Sequence, residues 1–138
     1  MQASSPVQVL TFTASGAILP ARCVGLDGAQ AAVQGQKVAG VSDAAAADGQ
    51  AVPVVLSGTA IVEAGAAIVL GDSLIADAQG RAVPASGPLA ISAGAVAMTS
   101  GAANGLVIEG ADAPEFVFAD AMAPAAGAGA LIEVLLRR

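Results

Sequence analysis

The stretch EAGAAIVLGDSLIADAQGRAV, residues 63–83, decides how this chain is read. Its apolar runs are short and are cut twice, by Gly71-Asp72 and by DAQG over residues 77–80. Runs of this length bounded by turn formers match β-strands. Glycine reaches positive φ without steric cost, so each cluster bends the chain. AIVLG, SLIA and RAVP are therefore expected to form a compact three-strand meander. Leu70 and Leu74 are expected to supply apolar contacts beside the first bend.

The same stretch contains Gly71-Asp72-Ser73-Leu74, the literal signature of a large group of serine esterases. A serine hydroxyl is a poor nucleophile at neutral pH until a base takes its proton, and the usual base is histidine. The chain has no histidine. Its only lysine, Lys37, carries no neighbouring sequence mark of a Ser-Lys pair. Ser73 is thus read as part of a turn, no catalytic residue is assigned, and no enzymatic activity is expected.

Absent histidine and a single cysteine, Cys23, also remove the imidazole and thiolate ligands on which transition-metal sites lean. Asp72 and Asp77 lack the dense spacing of a calcium loop and are read as solvated turn carboxylates. SGAANG (100–105) and GAGA (127–130) match neither a dinucleotide fingerprint nor a P-loop. No metal and no cofactor are expected.

Outward from the meander, the same short-run pattern continues. VQVLTFT (7–13) alternates, with Val7, Val9, Thr11 and Thr13 on one face and Gln8, Leu10 and Phe12 on the other. ILPARCVG (18–25) reads as an edge or strand start because of Pro20, and LDGAQAAV (26–33) turns on Asp27-Gly28 to complete a hairpin. Further strands are expected at KVAGVS (37–42), QAVPVVLSG (50–58) and TAIVEAG (59–65), with DAAAADGQ (43–50) as a loop. Residues 85–113 are rich in Gly, Ala and Ser and read as an elaboration or inserted hairpin, with strand-like GAVAM and GLVIEG. EFVFADAM (115–122) resumes a strand, a turn or short helix follows near Pro124, and ALIEVLLRR (130–138) is a closing strand expected to pair centrally. The fold expected is all-β, a small barrel or sandwich-like single domain over residues 1–138, with long Ala/Gly-rich loops and at most a short helix.

Composition bounds the function. At 138 residues the chain is one ordinary domain. Hydrophobic residues make up 56%, much of it alanine, with three Phe and no Trp or Tyr. Burying an alanine methyl yields about 0.8 kcal/mol, while ordering one residue's backbone costs about 1–2 kcal/mol. Ala44 to Ala47 and APAAGAGA (123–130) cannot order themselves, so part of the stability is expected from association with other subunits. Net charge is −6, and the basic residues are Arg22, Lys37, Arg81, Arg137 and Arg138. Phosphate backbones demand clustered cations and bases demand aromatic faces, so nucleic acid is not an expected partner. Phe12, Phe116 and Phe118 are read as core residues, one of them a packing anchor at an interface. Cys23 is read as a buried, inert thiol. MQASSPVQV lacks the features of a signal peptide, and no apolar run reaches the length of a membrane span. Synthesis in the cytoplasm and no membrane association are expected.

Three phrases then bear comparison with a known family: KVAGVSDAAAADG (37–49), QAVPVVLSGTAIVEAGAAIVLGDSLIADAQGRAV (50–83) and ALIEVLL (130–136). Gly40, Val41, Asp43, Ala44, Gly49, Val52, Val54, Gly58, Glu63, Ala64, Gly65, Gly71, Asp77, Gly80, Arg81, Ala82 and Val83 carry the match. In this order the chain resembles the capsid cement, or head decoration, proteins of tailed bacteriophages. The resemblance implies a non-enzymatic virion protein, a homotrimer on the outer surface of the expanded capsid, clamping adjacent major capsid protein subunits and so stabilising the shell. Candidate capsid or subunit contacts are the arm, with Gln2, Ser4, Ser5, Pro6 and Val7, then Arg81, Arg137 and Arg138. Residues 1–6 are read as an arm able to add a strand to a partner's sheet edge. The alternative is a virion-surface adhesion or glycan-binding module that uses residues 85–113.

Overall fold

The computed structural model describes residues 4–85 and 115–137, together with the backbone of 97–99 and 106–108. Among the described residues ten strands follow one another: β1 (Pro6–Thr13), β2 (Cys23–Val24), β3 (Gly40–Ser42), β4 (Ala51–Glu63), β5 (Ser73–Ala76), β6 (Ala82–Pro84), β7 (Ala97–Thr99), β8 (Leu106–Ile108), β9 (Ala119–Ala121) and β10 (Leu131–Leu136). No helix occurs among the described residues. Eight strands form one antiparallel sheet in the order β2-β3-β4-β10-β9-β5-β6, with β1 paired to β4 off this path, and β7 pairs with β8. The two ends of the path meet. Cys23 N donates to Gly80 O at 2.7 Å, and Gly65 N donates to Ala82 O at 2.8 Å. The result is a nearly closed barrel, all-β as expected.

The expected strands at 50–58 and 59–65 are one strand, β4, 13 residues long. Gly58 does not end it but bends it: its φ is 88°, and the bend is where pairing changes hands. Before Gly58, β4 pairs with β1 and β3; after it, Thr59 to Glu63 pair with β10. A side chain at Gly58 would sit 2.5 Å from Ser5 O, so glycine also admits the start of β1. β10 lies between β4 and β9, the central place expected for it.

The main core gathers Val41, Val55, Val62, Leu74, Phe118, Ile132 and Val134 with a set of alanines, Ala60, Ala64, Ala76, Ala82, Ala119 and Ala121. A second, smaller cluster joins Ile18, Val24, Ala46, Val52 and Val54, with Phe12 and Leu56 against it. The interior of a small barrel has little room for side chains. Alanine facing inward on β4, β5, β6 and β9 meets that limit, which gives the alanine-rich composition a structural role.

Several expectations change in detail. AIVLG is not a strand. Asp72 Oδ2 accepts from Val69 N at 2.8 Å and Asp72 N donates to Val69 O at 3.0 Å, which draws the segment into a turn. Only Ile68 keeps a bridge, to Ala125, and Leu70 is 63% exposed rather than packed, while Leu74 is fully buried. The three-strand meander is therefore two strands, β5 and β6, plus a bridge. ILPARCVG contributes strand only at Cys23–Val24, following Ala21 at φ 57°. EFVFADAM contributes only Ala119–Ala121, and the segment near Pro124 is not helical. Residues 43–50 form a loop as expected, anchored by the bridge between Ile18 and Ala46. The elaboration expected over 85–113 lies outside the described residues, apart from Ala85 and the backbone pairing of β7 with β8.

Cys23 is fully buried at the barrel seam. Burial first, then the nearby Asp77 carboxylate, push its thiol pKa up, with Arg22 opposing. The folded chain therefore keeps the thiol proton above the pH at which the unfolded chain loses it, about 8.5. Below that pH the stabilisation is fully present. Above it the unfolded state binds fewer protons and stability falls, approaching about 1.4 kcal/mol per pH unit. With no tyrosine and one lysine, few other groups titrate in this window. Urea unfolding at a series of alkaline pH values should show this slope in the native chain and lose it in Cys23→Ala.

Candidate interaction surface

The two halves of the opening stretch, EAG and DAQGRAV, meet at the barrel seam. Asp77 is 6% exposed. Its Oδ1 accepts from Gln79 N at 2.9 Å and Arg81 N at 2.8 Å, and its Oδ2 accepts from Arg81 Nε at 3.0 Å. Gly65 lies against the same carboxylate, and a Cβ there would overlap Asp77 Oδ2. Arg22 ties the opposite end of the sheet to this turn through Gln79 O at 2.8 Å and Glu63 Oε2 at 3.0 Å. Gln30 Nε2 donates to the same Gln79 carbonyl at 2.9 Å.

This corrects the reading of Asp72 and Asp77 as solvated. Asp77 is buried because its turn closes the barrel, and Asp72 is half-buried and holds the Val69 amide. Among the described residues no group of three or more His, Cys, Asp or Glu is placed to hold a metal ion.

Ser73 opens β5 opposite Asp120 of β9. Arg137 Nε and Nη2 donate to the two oxygens of Asp120 at 2.8 and 2.7 Å, and Nη2 also reaches Ser73 Oγ at 3.4 Å. These neighbours offer a carboxylate and a guanidinium that neutralise one another, not a base to take the hydroxyl proton. Lys37 extends over the Phe116 ring, 5.9 Å from its centre. Ser73→Ala should change stability by less than about 0.5 kcal/mol. A chromogenic ester assay should give the same rate for both proteins.

Ser4 is exposed; Ser5 N donates to Thr59 Oγ1 at 2.7 Å and Ser5 O accepts from Thr59 N at 3.2 Å. Pro6 opens β1 opposite Gly58, and Val7 is 80% exposed. The arm is thus pinned to β4 from Ser5 onward. Gln2 and Arg138 lie outside the described residues. Arg81 is engaged with Asp77 in the β5–β6 turn and Arg137 with Asp120, so the cations are held within the chain and do not cluster with the arm.

β1 itself is unlike the other strands. Its side chains are exposed on both faces except at Phe12, which is half-buried. Ordering eight residues costs conformational entropy, and the other long strands recover it by burying a face. β1 recovers little that way, with Val7, Val9 and Leu10 all open to solvent.

Beside it lies an apolar surface that the sequence reading missed. Leu131, Glu133 and Leu135 share the outer face of β10, opposite Glu63, Ile61 and Thr59 of β4, and Leu135 also faces Asp120. Met122, whose N donates to Glu133 O at 3.0 Å, is exposed alongside. The signal was present in ALIEVLL, where alternation puts Leu131 and Leu135 on one side and Ile132 and Val134 on the other.

No protein-family model matches the chain, and no curated protein does. Among solved structures, the chain is similar to the crystal structure of the head fiber gp8.5 N base in bacteriophage phi29. The TM-score is 0.62 at 20% sequence identity, over 94% of this chain and 95% of that one.

Proposed function

We propose that this chain is a non-enzymatic structural protein of a bacteriophage virion that binds the outer surface of the assembled capsid as a homo-oligomer, a trimer. It stabilises the shell by bridging adjacent major capsid protein subunits. The observation that carries the reading is the likeness of its whole fold to a bacteriophage head-fiber base, covering almost the full length of both chains. The cement-protein phrases of the sequence point to the same setting. The turn EAG…DAQGRAV that those phrases describe is the buried seam of the barrel, so they record the fold and leave the outer surface free to differ. Stabilisation follows if the protein binds the assembled shell and not its separated subunits, and symmetry multiplies many modest contacts.

The test adds purified chain to capsids that lack it, then measures copies bound and the temperature at which the shells open. Saturation at a fixed ratio to the major capsid protein, with shells opening at higher temperature, is the expected result. Chain that fails to sediment with capsids yet is retained on a glycan array would overturn the reading in favour of an adhesion module.

A further inference from the structure

We infer that β1 and the outer face of β10 form one surface, and that its occupant is a second copy of this chain. This deepens the homo-oligomer reading above and rests on it. The two parts are continuous, because Pro6 of β1 stands opposite Gly58 while Leu135 of β10 stands opposite the next residue, Thr59. Thr59 is also the link in the polar chain from Ser5 N through its hydroxyl to Glu133 Oε2, at 2.7 and 2.9 Å. Val7, Val9 and Leu10 of β1 and Leu131 and Leu135 of β10 are its exposed large apolar residues.

Charge selects the occupant. The chain carries 11 acidic and five basic residues, so two copies repel over most of their surfaces. The first charged side chain in the sequence is Arg22, which leaves β1 without any charge. Of the carboxylates bordering β10, Glu63 is paired with Arg22 and Asp120 with Arg137, while Glu133 accepts from the Thr59 hydroxyl and keeps its charge. A copy of the same acidic chain therefore meets one uncompensated carboxylate here, Glu133, and none on β1.

The backbone of β1 adds a second attraction. Ala14 N bonds to Gln50 O, and by the alternation of an antiparallel pair Phe12 and Leu10 also bond toward β4. The amides and carbonyls of Val9 and Thr11 then point away from β4, and among the described strands β1 pairs with β4 alone. Sheet edges left open in monomers are blunted by charges. This one carries none.

Light scattering across a dilution series tests the inference on the full chain. The wild type should associate, and Val7→Glu and Leu135→Glu should each weaken association at least tenfold with unchanged far-UV circular dichroism. Val33→Glu, on an exposed loop whose neighbour Gly35 bonds to Ala76 and Phe116 and not to β1, should associate as the wild type does. Amide exchange at Val9 and Thr11 should slow on association. A wild type that stays monomeric at every concentration overturns the inference, as does association untouched by either β1 or β10 variant. Capsid binding is scored separately. A monomer that still binds capsids sinks this inference and the homo-oligomer part of the proposed function but spares capsid binding, while an associating chain that ignores capsids does the reverse.

Discussion

Gly40→Ala is expected to cost about 3 kcal/mol or more, at the upper end of what overpacking does, and to lower the melting temperature by about 10 °C for a chain of this size. A Cβ at residue 40 would overlap Val55 O, and it would come within 2.9 Å of Val55 C and 3.0 Å of Val54 Cγ1. Two of those three atoms are backbone, so no side chain can swing aside to make room. β3 has to move off β4. Because Gly40 also pairs with Val24, and Ala39 N donates to Val24 O at 2.7 Å, β2 moves with it. β2 carries the Cys23 amide that bonds Gly80 across the seam, so a methyl group on β3 opens the barrel at its closure.

Gly71→Ala is the control. Gly71 has φ 89° but nothing within 4 Å of the added carbon. Its cost is backbone strain alone, about 1–2 kcal/mol. Thermal melts followed by circular dichroism distinguish the two, and equal shifts would mean that β3 does not approach β4 as closely as the structure has it.

The element types were legible in the sequence because turn formers punctuate short apolar runs throughout, and the all-β class follows from that rhythm. Strand lengths were less legible. Ser57-Gly58 reads as the break between two strands in the 50–65 segment, whereas β4 passes through it. Pro53 stands within the strand as expected, its carbonyl accepting from Asp43 N at 3.0 Å, and Gly58 acts as the bend. AIVLG failed in the opposite direction: its composition is that of a strand, but Asp72 supplies a side-chain acceptor to Val69 and a local turn wins. The candidate surface was legible in part. The arm includes Val7, and alternation in ALIEVLL separates Leu131 and Leu135 from Ile132 and Val134, but which of the two sides faces outward is fixed only by how β10 packs between β4 and β9. Arg81 and Arg137 could not be judged from sequence, because their partners Asp77 and Asp120 are fixed by a turn and by strand register.

Asp77→Ala should destabilise by about 3 kcal/mol, the lower end of the range for removing one partner of a buried pair, since Arg81 keeps about a quarter of its side chain in water. The carboxylate satisfies the amides of Gln79 and Arg81 as well as the Arg81 guanidinium, and the turn it holds presents Gln79 O to Arg22 and Gly80 O to Cys23. Asp77→Asn keeps an oxygen for the two amides but turns an amide NH2 toward Arg81, so it should lose about half as much. Gly65→Ala reaches the same carboxylate from the other side, pressing a methyl group on Oδ2 and coming within 2.9 Å of Val83 Cγ1, for about 1–3 kcal/mol. If EAG and DAQGRAV are joined by this contact, the two changes cannot add. Removing the Asp77 carboxylate makes room for the new methyl, so the double variant should be about 1 kcal/mol more stable than the sum of the singles predicts, as touching residues couple. Urea unfolding of the four proteins closes the cycle. Strict additivity would separate the two phrases, and the seam would then owe its closure to Arg22 and the Cys23 amide.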